Sequence, residues 1–138
     1  MCGLGSETTP TKVLIVDDHS IVRRGLTELL GQQPDLCICA AVGSAEEALG
    51  IIEGQPVDLA VVDISLGRMD GIELTRELKR KHPEILVLIL SMHDESLYGE
   101  RARRAGAAGF VAKQDGGDAL LEAISRILPG RGNHQTSD

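Results

Sequence analysis

Five short apolar runs punctuate the chain: Val13–Val16, Cys37–Val42, Leu59–Val62, Leu86–Leu90 and Gly109–Ala112. Several are almost continuously apolar rather than alternating, as strands covered on both faces are. The segments between them carry apolar residues at helical spacing. After the first run, Val22, Leu26, Leu29 and Leu30 share one face, with Ser20 placed to cap a helix. After the second, Ser44 and Glu47 match a capping box ahead of a stripe of Ala45, Ala48, Leu49 and Ile52. After the third, Asp70 and Glu73 repeat that arrangement before Leu74 and Leu78, and His82-Pro83 ends the helix. The fourth helix, about Leu97 to Ala105, has only a thin stripe of alanines between Arg101, Arg103 and Arg104. The fifth carries Leu120, Ile124, Ile127 and Leu128 on one face and stops at Pro129.

Alternating strands and helices joined by short links predict an α/β fold: a single doubly wound, five-stranded parallel sheet with helices on both faces. The 138 residues suffice for one such domain. Residues 12–128 form it, residues 1–11 read as a disordered N-terminal segment, and residues 129–138 read as a linker or tail.

Composition narrows the function. A net charge of −7 leaves no broad basic surface for nucleic acid, and one Tyr and one Phe cannot make a stacking platform for single strands. The longest strongly apolar stretch, Ile85 to Leu90, falls far short of a membrane span, and the opening residues lack the apolar core and basic flank of a signal peptide. A cytoplasmic protein without membrane contact is expected. Cys37 and Cys39 stand two apart on one strand and read as small buried thiols, since no second Cys or His pair stands at ligand spacing.

In open parallel sheets, ligands bind beyond the carboxyl ends of the strands. The residues found there are telling. The first run ends in Asp17 and Asp18, the third in Asp63, the fourth in Ser91 and the fifth in Lys113. A lone aspartate after a strand is commonly a cap or turn residue, the reading preferred for Asp70 and Asp118. Three carboxylates on one rim are different. Two like charges about 4 Å apart repel by roughly 4 kcal/mol at an effective dielectric of about 20, so a counter-ion is implied. Hard oxygen donors in a hydrated cleft suit Mg²⁺. With that ion and Lys113 the rim is near neutral and receptive to a phosphoryl group. Asp63, on the central strand of those contributing most of the site, is the candidate nucleophile.

The pieces VLIVDDHSIVRRGL, VVDISLGRMDGIEL, LILSMHDE and RRAGAAGFVAKQD, in that order, resemble the receiver domain of two-component response regulators over roughly Lys12 to Leu128. VDDHSIVRRGL, SMHDE and AGAAGFVAK are most similar to the branch whose second domain is a LuxR-type (NarL/FixJ) helix-turn-helix. The resemblance implies a flavodoxin-like sheet of order 2-1-3-4-5. It implies Asp63 as phosphoacceptor from a sensor histidine kinase, and Mg²⁺ held by Asp18, Asp63 and the backbone carbonyl of Ser65, with Asp17 acting largely through water. Ser91 and Phe110 would be the switch pair and Lys113 the partner of the phosphoryl oxygens. It implies a phosphorylation-dependent homodimer, through the face of the fourth helix, fifth strand and fifth helix, and DNA binding only through a C-terminal domain not within this chain. The chain then reads as a fragment of a transcription regulator in preference to a stand-alone receiver.

Departures from the family pattern are local. DISLGRMDG replaces the usual DISLPGMDG, with Gly67 and Arg68 in the turn beside the site. Met92 follows the switch hydroxyl where the broader family favours a very small residue. Ser65 and His93 occupy positions that tune dephosphorylation in relatives. Two rival classes differ in kind. An aspartyl phosphatase would need a second acid where Ser65 stands, and a pseudo-receiver commonly loses an acidic residue or the lysine, none of which is missing.

Overall fold

A computed structural model describes residues 10–92 and 95–128, with the side chains of 95–97 excluded. The expectations for residues 1–9, His93 and 129–138 lie outside the described residues. The elements run β1 (Thr11–Val16), α1 (Ser20–Gly31), β2 (Leu36–Val42), α2 (Ala45–Gly54), β3 (Leu59–Asp63), α3 (Gly71–Lys81), β4 (Leu86–Ser91), α4 (Glu95–Ala105), β5 (Gly109–Ala112) and α5 (Gly116–Ile127). All four strand pairings are parallel and the order is β2-β1-β3-β4-β5, as the resemblance implies.

The sheet separates two apolar layers. On one face Leu59 and Val61 of β3 pack with Val13, Ile15 and Leu88 against Leu30 of α1 and Leu120 and Ile124 of α5. On the other, Ala60 and Val62 pack with Leu14, Val16 and Ile89 against Ile52 of α2, Leu74 and Leu78 of α3 and Ala102 of α4. Every residue of β3 is buried, because alternate side chains enter opposite layers. That is why the run reads as unbroken apolar sequence.

Several strand ends extend beyond the predicted runs. β1 begins at Thr11, whose N–H donates to the Asp35 carbonyl at 3.0 Å, and β3 and β4 continue through Asp63 and Ser91. The chemistry-bearing residues of β3 and β4 are thus the last rungs of the sheet, not loop residues.

The caps differ from expectation in two places. Asp70 makes the full reciprocal box, its Oδ1 accepting from Glu73 N at 2.8 Å while Glu73 Oε1 accepts from Asp70 N at 3.2 Å. Ser44 Oγ accepts from Glu47 N, but Glu47 reaches back to Gly43 N, so α2 has only half the box. At α1 the N-cap is His19, not Ser20, which is already helical. The cause is upstream: Asp17 Oδ1 accepts from His19 N at 2.9 Å, fixing a turn that starts the helix one residue earlier than a Ser20 cap would require.

β2 carries a bulge where Val13 pairs with Ile38 but Leu14 with Ala40, which leaves Cys39 outside the register. Cys39 and Ala40 therefore pack on the same layer. Cys39 is a free thiol directed at the Val13 carbonyl, and burial pushes its pKa up. Cys37 is disulfide-bonded instead of the expected thiol.

Candidate functional site: an acidic cleft at the carboxyl edge of the sheet

β1 and β3 are adjacent and in register, with Val16 beside Val62, so the chain continues on each strand directly into its aspartates. Asp17 is fully buried and Asp63 is 2% exposed, whereas Asp18 projects toward solvent with 41% of its side chain exposed. Two buried carboxylates side by side need compensation. Lys113, the first residue after β5, supplies part of it: its Nζ donates to Asp17 Oδ2 at 3.0 Å and lies 3.4 Å from Asp63 Oδ2. Asp17 is otherwise satisfied internally, accepting from His19 N on Oδ1, while Arg23 Nη1 donates to the Asp17 backbone carbonyl at 2.7 Å. Gly43 flanks that guanidinium: a Cβ there would stand 3.1 Å from Arg23 Nη1.

Asp63 is less well served. Its Oδ1 accepts a long bond from Ser65 N at 3.3 Å, and its buried Oδ2 has no hydrogen-bond partner among the described residues. Burial, and next the neighbouring charge of Asp17, raise its pKa above the ordinary carboxylate value despite Lys113. A buried carboxylate oxygen that makes no hydrogen bond and stands beside other acids fits a cation ligand. One ligand atom from each of Asp17, Asp18, His19 and Asp63 lies within 4.8 Å of the others, a donor set able to hold a metal ion.

The remaining candidates take definite places. Ser91 ends β4, buried, opposite Ala112, and Phe110 pairs with Ile89 two residues earlier. In parallel register the serine and the ring therefore share one face of the sheet, with Phe110 half-buried against the α2–α4 layer. Ser65 is exposed in the β3–α3 loop. Gly67 adopts φ 85°, a left-handed conformation closed to proline, so the family's proline is excluded at this position by the turn the chain makes. Gly71 is backed against the strand, where a Cβ would run into the Asp63 carbonyl and the Ile64 Cα. Met92 is 66% exposed and lines an apolar groove with Val22, Leu26 and Lys113 instead of covering Asp63. On α4, Arg103 and Arg104 pair with Glu100 and Arg101 lies over the Tyr98 ring, so these cations are engaged within their own helix.

His19 escaped the sequence reading. Its Nδ1 lies 3.3, 3.1 and 3.9 Å from oxygens of Asp17, Asp18 and Asp63. The signal was present, a histidine directly after an aspartate pair at a strand end, but its ring orientation depends on the Asp17 turn.

Fold and site together define an α/β protein with a metal-competent acidic cleft at the carboxyl edge of a parallel sheet. The family description "Response regulator receiver domain" matches residues 13–125, and the chain belongs to that family, the receivers of two-component response regulators. Its similarity runs to the LuxR-type branch. It is 38% identical to the transcriptional regulatory protein UhpA of Escherichia coli over 118 residues, covering 86% of this chain and 59% of that protein. It is 40% identical to the DNA-binding transcriptional activator DevR/DosR of Mycobacterium tuberculosis over 122 residues, covering 87% and 55%. The chain thus spans little more than half the length of these relatives. A LuxR-family two-component response regulator from Aurantimonas superposes with a TM-score of 0.83 at 34% identity, covering 89% of this chain and 88% of that one. No helix among the described residues is long and apolar enough to cross a membrane.

Proposed function

We propose that this receiver is a phosphorylation-dependent signalling switch in which Asp63 accepts a phosphoryl group from the histidine of a sensor kinase. The observation that carries the reading is the orphaned, buried Oδ2 of Asp63, with Lys113 Nζ 3.4 Å away and the Asp17–Asp18 pair alongside. Asp18 and Asp63, with the backbone carbonyl of Ser65, would hold Mg²⁺ directly, and Asp17 through water. The ion supplies charge neutralisation at the phosphoryl oxygens and at the carboxylates.

The chain's residues do the rest. A carboxylate oxygen of Asp63 attacks phosphorus as the phosphorus–nitrogen bond to the donor imidazole breaks, and the imidazole leaves with the bond's electron pair and takes up a proton. Lys113, already aimed between Asp17 and Asp63, shifts toward the new oxyanion. Ser91 closes on the phosphoryl group from the end of β4, and Phe110, on the same face, fills the space it vacates. Coupling of this kind is typically worth about 1–3 kcal/mol, enough to shift a pre-existing equilibrium. The α4–β5–α5 face would then favour a homodimer.

The relatives' names as transcription regulators, together with the partial coverage of their length, support a larger protein in which residues 12–128 are the receiver and residues 129–138 lead to a helix-turn-helix. DNA contact would belong to that module, and the whole would act in the cytoplasm. The chain itself is a switch that phosphorylates and dephosphorylates itself, without turnover of a separate substrate.

The test is intact-mass measurement after incubation with Mg²⁺ and acetyl phosphate. One phosphoryl mass should be gained, and both chelator and Asp63→Asn should abolish it while Asp118→Asn does not. Undiminished labelling of Asp63→Asn would show that the nucleophile is another residue.

A further inference from the structure

The cleft contains one donor that phosphoryl transfer leaves idle. His19 is the N-cap of α1, yet its side chain makes no capping bond. Its imidazole faces the carboxylates instead, and the backbone beneath it is pinned on both sides. His19 N donates to Asp17 Oδ1 at 2.9 Å, and its carbonyl accepts from Arg23 N at 2.9 Å. Metal–nitrogen and metal–oxygen bonds of about 2.0–2.1 Å in tetrahedral geometry place ligand atoms about 3.3 Å apart. The separations of Nδ1 from Asp17, Asp18 and Asp63 oxygens, 3.3, 3.1 and 3.9 Å, straddle that value. Asp63 Oδ2, the oxygen at 3.9 Å, is buried and makes no hydrogen bond among the described residues, with only Lys113 Nζ at 3.4 Å as a charged neighbour besides the histidine. The histidine side chain is 63% exposed, so the ring is open to an ion from solvent.

We propose that His19 Nδ1, together with Asp18 and Asp63, makes the cleft a site for a borderline divalent transition-metal ion, with Zn²⁺ as the probe, in competition with Mg²⁺. This rests on reading the cleft as a divalent-cation site. Mg²⁺ prefers oxygen donors and keeps several waters, so it gains little from an imidazole. Zn²⁺ and its neighbours in the transition series bind imidazole readily and outrank harder ions at mixed nitrogen–oxygen sites. His19 is thereby a determinant of which cation the receiver carries, and a transition metal in this position withholds the carboxylates from Mg²⁺.

The test is titration calorimetry on the chelator-treated full chain, with MgCl₂ and ZnCl₂ in separate runs and Zn²⁺ titrated again in saturating Mg²⁺. Wild type should bind Zn²⁺ at least tenfold more tightly than Mg²⁺, and Mg²⁺ should weaken apparent Zn²⁺ binding. His19→Asn should lose tenfold or more for Zn²⁺ and less than twofold for Mg²⁺, and His19→Gln should behave alike. Zn²⁺ affinity within twofold of wild type in both variants would overturn the inference. So would equal losses for the two metals, which would make His19 a residue that only positions the loop. Zn²⁺ binding untouched by Asp18→Asn and Asp63→Asn would place the ion elsewhere and also overturn it. Failure of Mg²⁺ alone to bind, with Zn²⁺ binding still dependent on His19, would sink the Mg²⁺ reading and the competition, and leave His19 as a ligand of the transition-metal site.

Discussion

Replacing Asp63 by asparagine should stabilise the metal-free protein at neutral pH. At the 4.8 Å limit of the cluster, the repulsion between Asp63 and Asp17 is about 3.5 kcal/mol at an effective dielectric of about 20. At 3.4 Å, the attraction of Lys113 is about 5 kcal/mol on the same scale. The attraction exceeds the repulsion by about 1.5 kcal/mol on this scale, and the larger cost of burying an ionised carboxylate that is 2% exposed and makes no hydrogen bond on Oδ2 sets the sign. The raised pKa agrees: in the folded chain the charged form is disfavoured. An amide of the same shape removes that penalty, and Lys113 keeps Asp17 as its partner. The expected gain is about 1–2 kcal/mol, or upward of about 3 °C in Tm for a domain of this size.

The pH dependence has a defined direction. A carboxyl group with a raised folded pKa contributes stability below its unfolded value, ordinarily about 3.9, and loses it as pH rises through the folded value. The substituted amide does not titrate there, so the variant's advantage should grow across that window and then level off. Urea denaturation of both proteins in chelator, from pH 4 to 8, reads this directly. Saturating Mg²⁺ at about 100 Kd should add about 2.7 kcal/mol to wild type and less to the variant, reversing the order. A variant less stable than wild type in chelator at pH 7.5, or a gap constant with pH, would refute the electrostatic account.

Lys113→Ala leaves the fully buried Asp17 carboxylate without its cation, so it should cost about 3 kcal/mol in urea titrations, with Mg²⁺ restoring part of the loss. The same variant should still bind Mg²⁺ but fail to dimerise on phosphorylation, read by gel filtration. Gly71→Ala forces a methyl into the Asp63 carbonyl and Ile64 Cα, backbone that cannot give way, and should lower stability by about 2–3 kcal/mol; a change in the denaturation midpoint worth less than about 0.5 kcal/mol would contradict the packing described. Gly67→Ala has open space around its methyl but an unfavourable φ, so it should cost only about 1 kcal/mol in the same titration.

What the sequence made legible was whatever rests on short-range pattern. The continuous apolar run of β3 announced a strand covered on both sides, and the strand ends announced which side chains share a rim, because parallel strands all deliver their carboxyl ends to one edge. The Asp70 box was visible for the same reason: both halves lie within four residues. Less visible was anything decided by one backbone turn or by contact across the fold. The capping role assigned to Ser20 failed because the Asp17 side chain, outside the helix, sets where α1 begins. The His19 ring and the Gly71 contact with the Asp63 carbonyl depend on where separate elements come to rest. Gly67 showed only as a departure from the family pattern, while its positive φ makes it a requirement of the turn.

Gly43 follows the outer strand β2, remote from the chemistry in sequence, yet a Cβ there would stand 3.1 Å from the Arg23 guanidinium and 3.9 Å from the Asp17 carbonyl which that guanidinium bonds. Any bulkier residue there would nudge that guanidinium and, through it, the peptide that aims the acidic pair. Descent can therefore retune such a receiver from its periphery, shifting the aim of its acidic pair by tenths of an ångström while every acidic residue is kept.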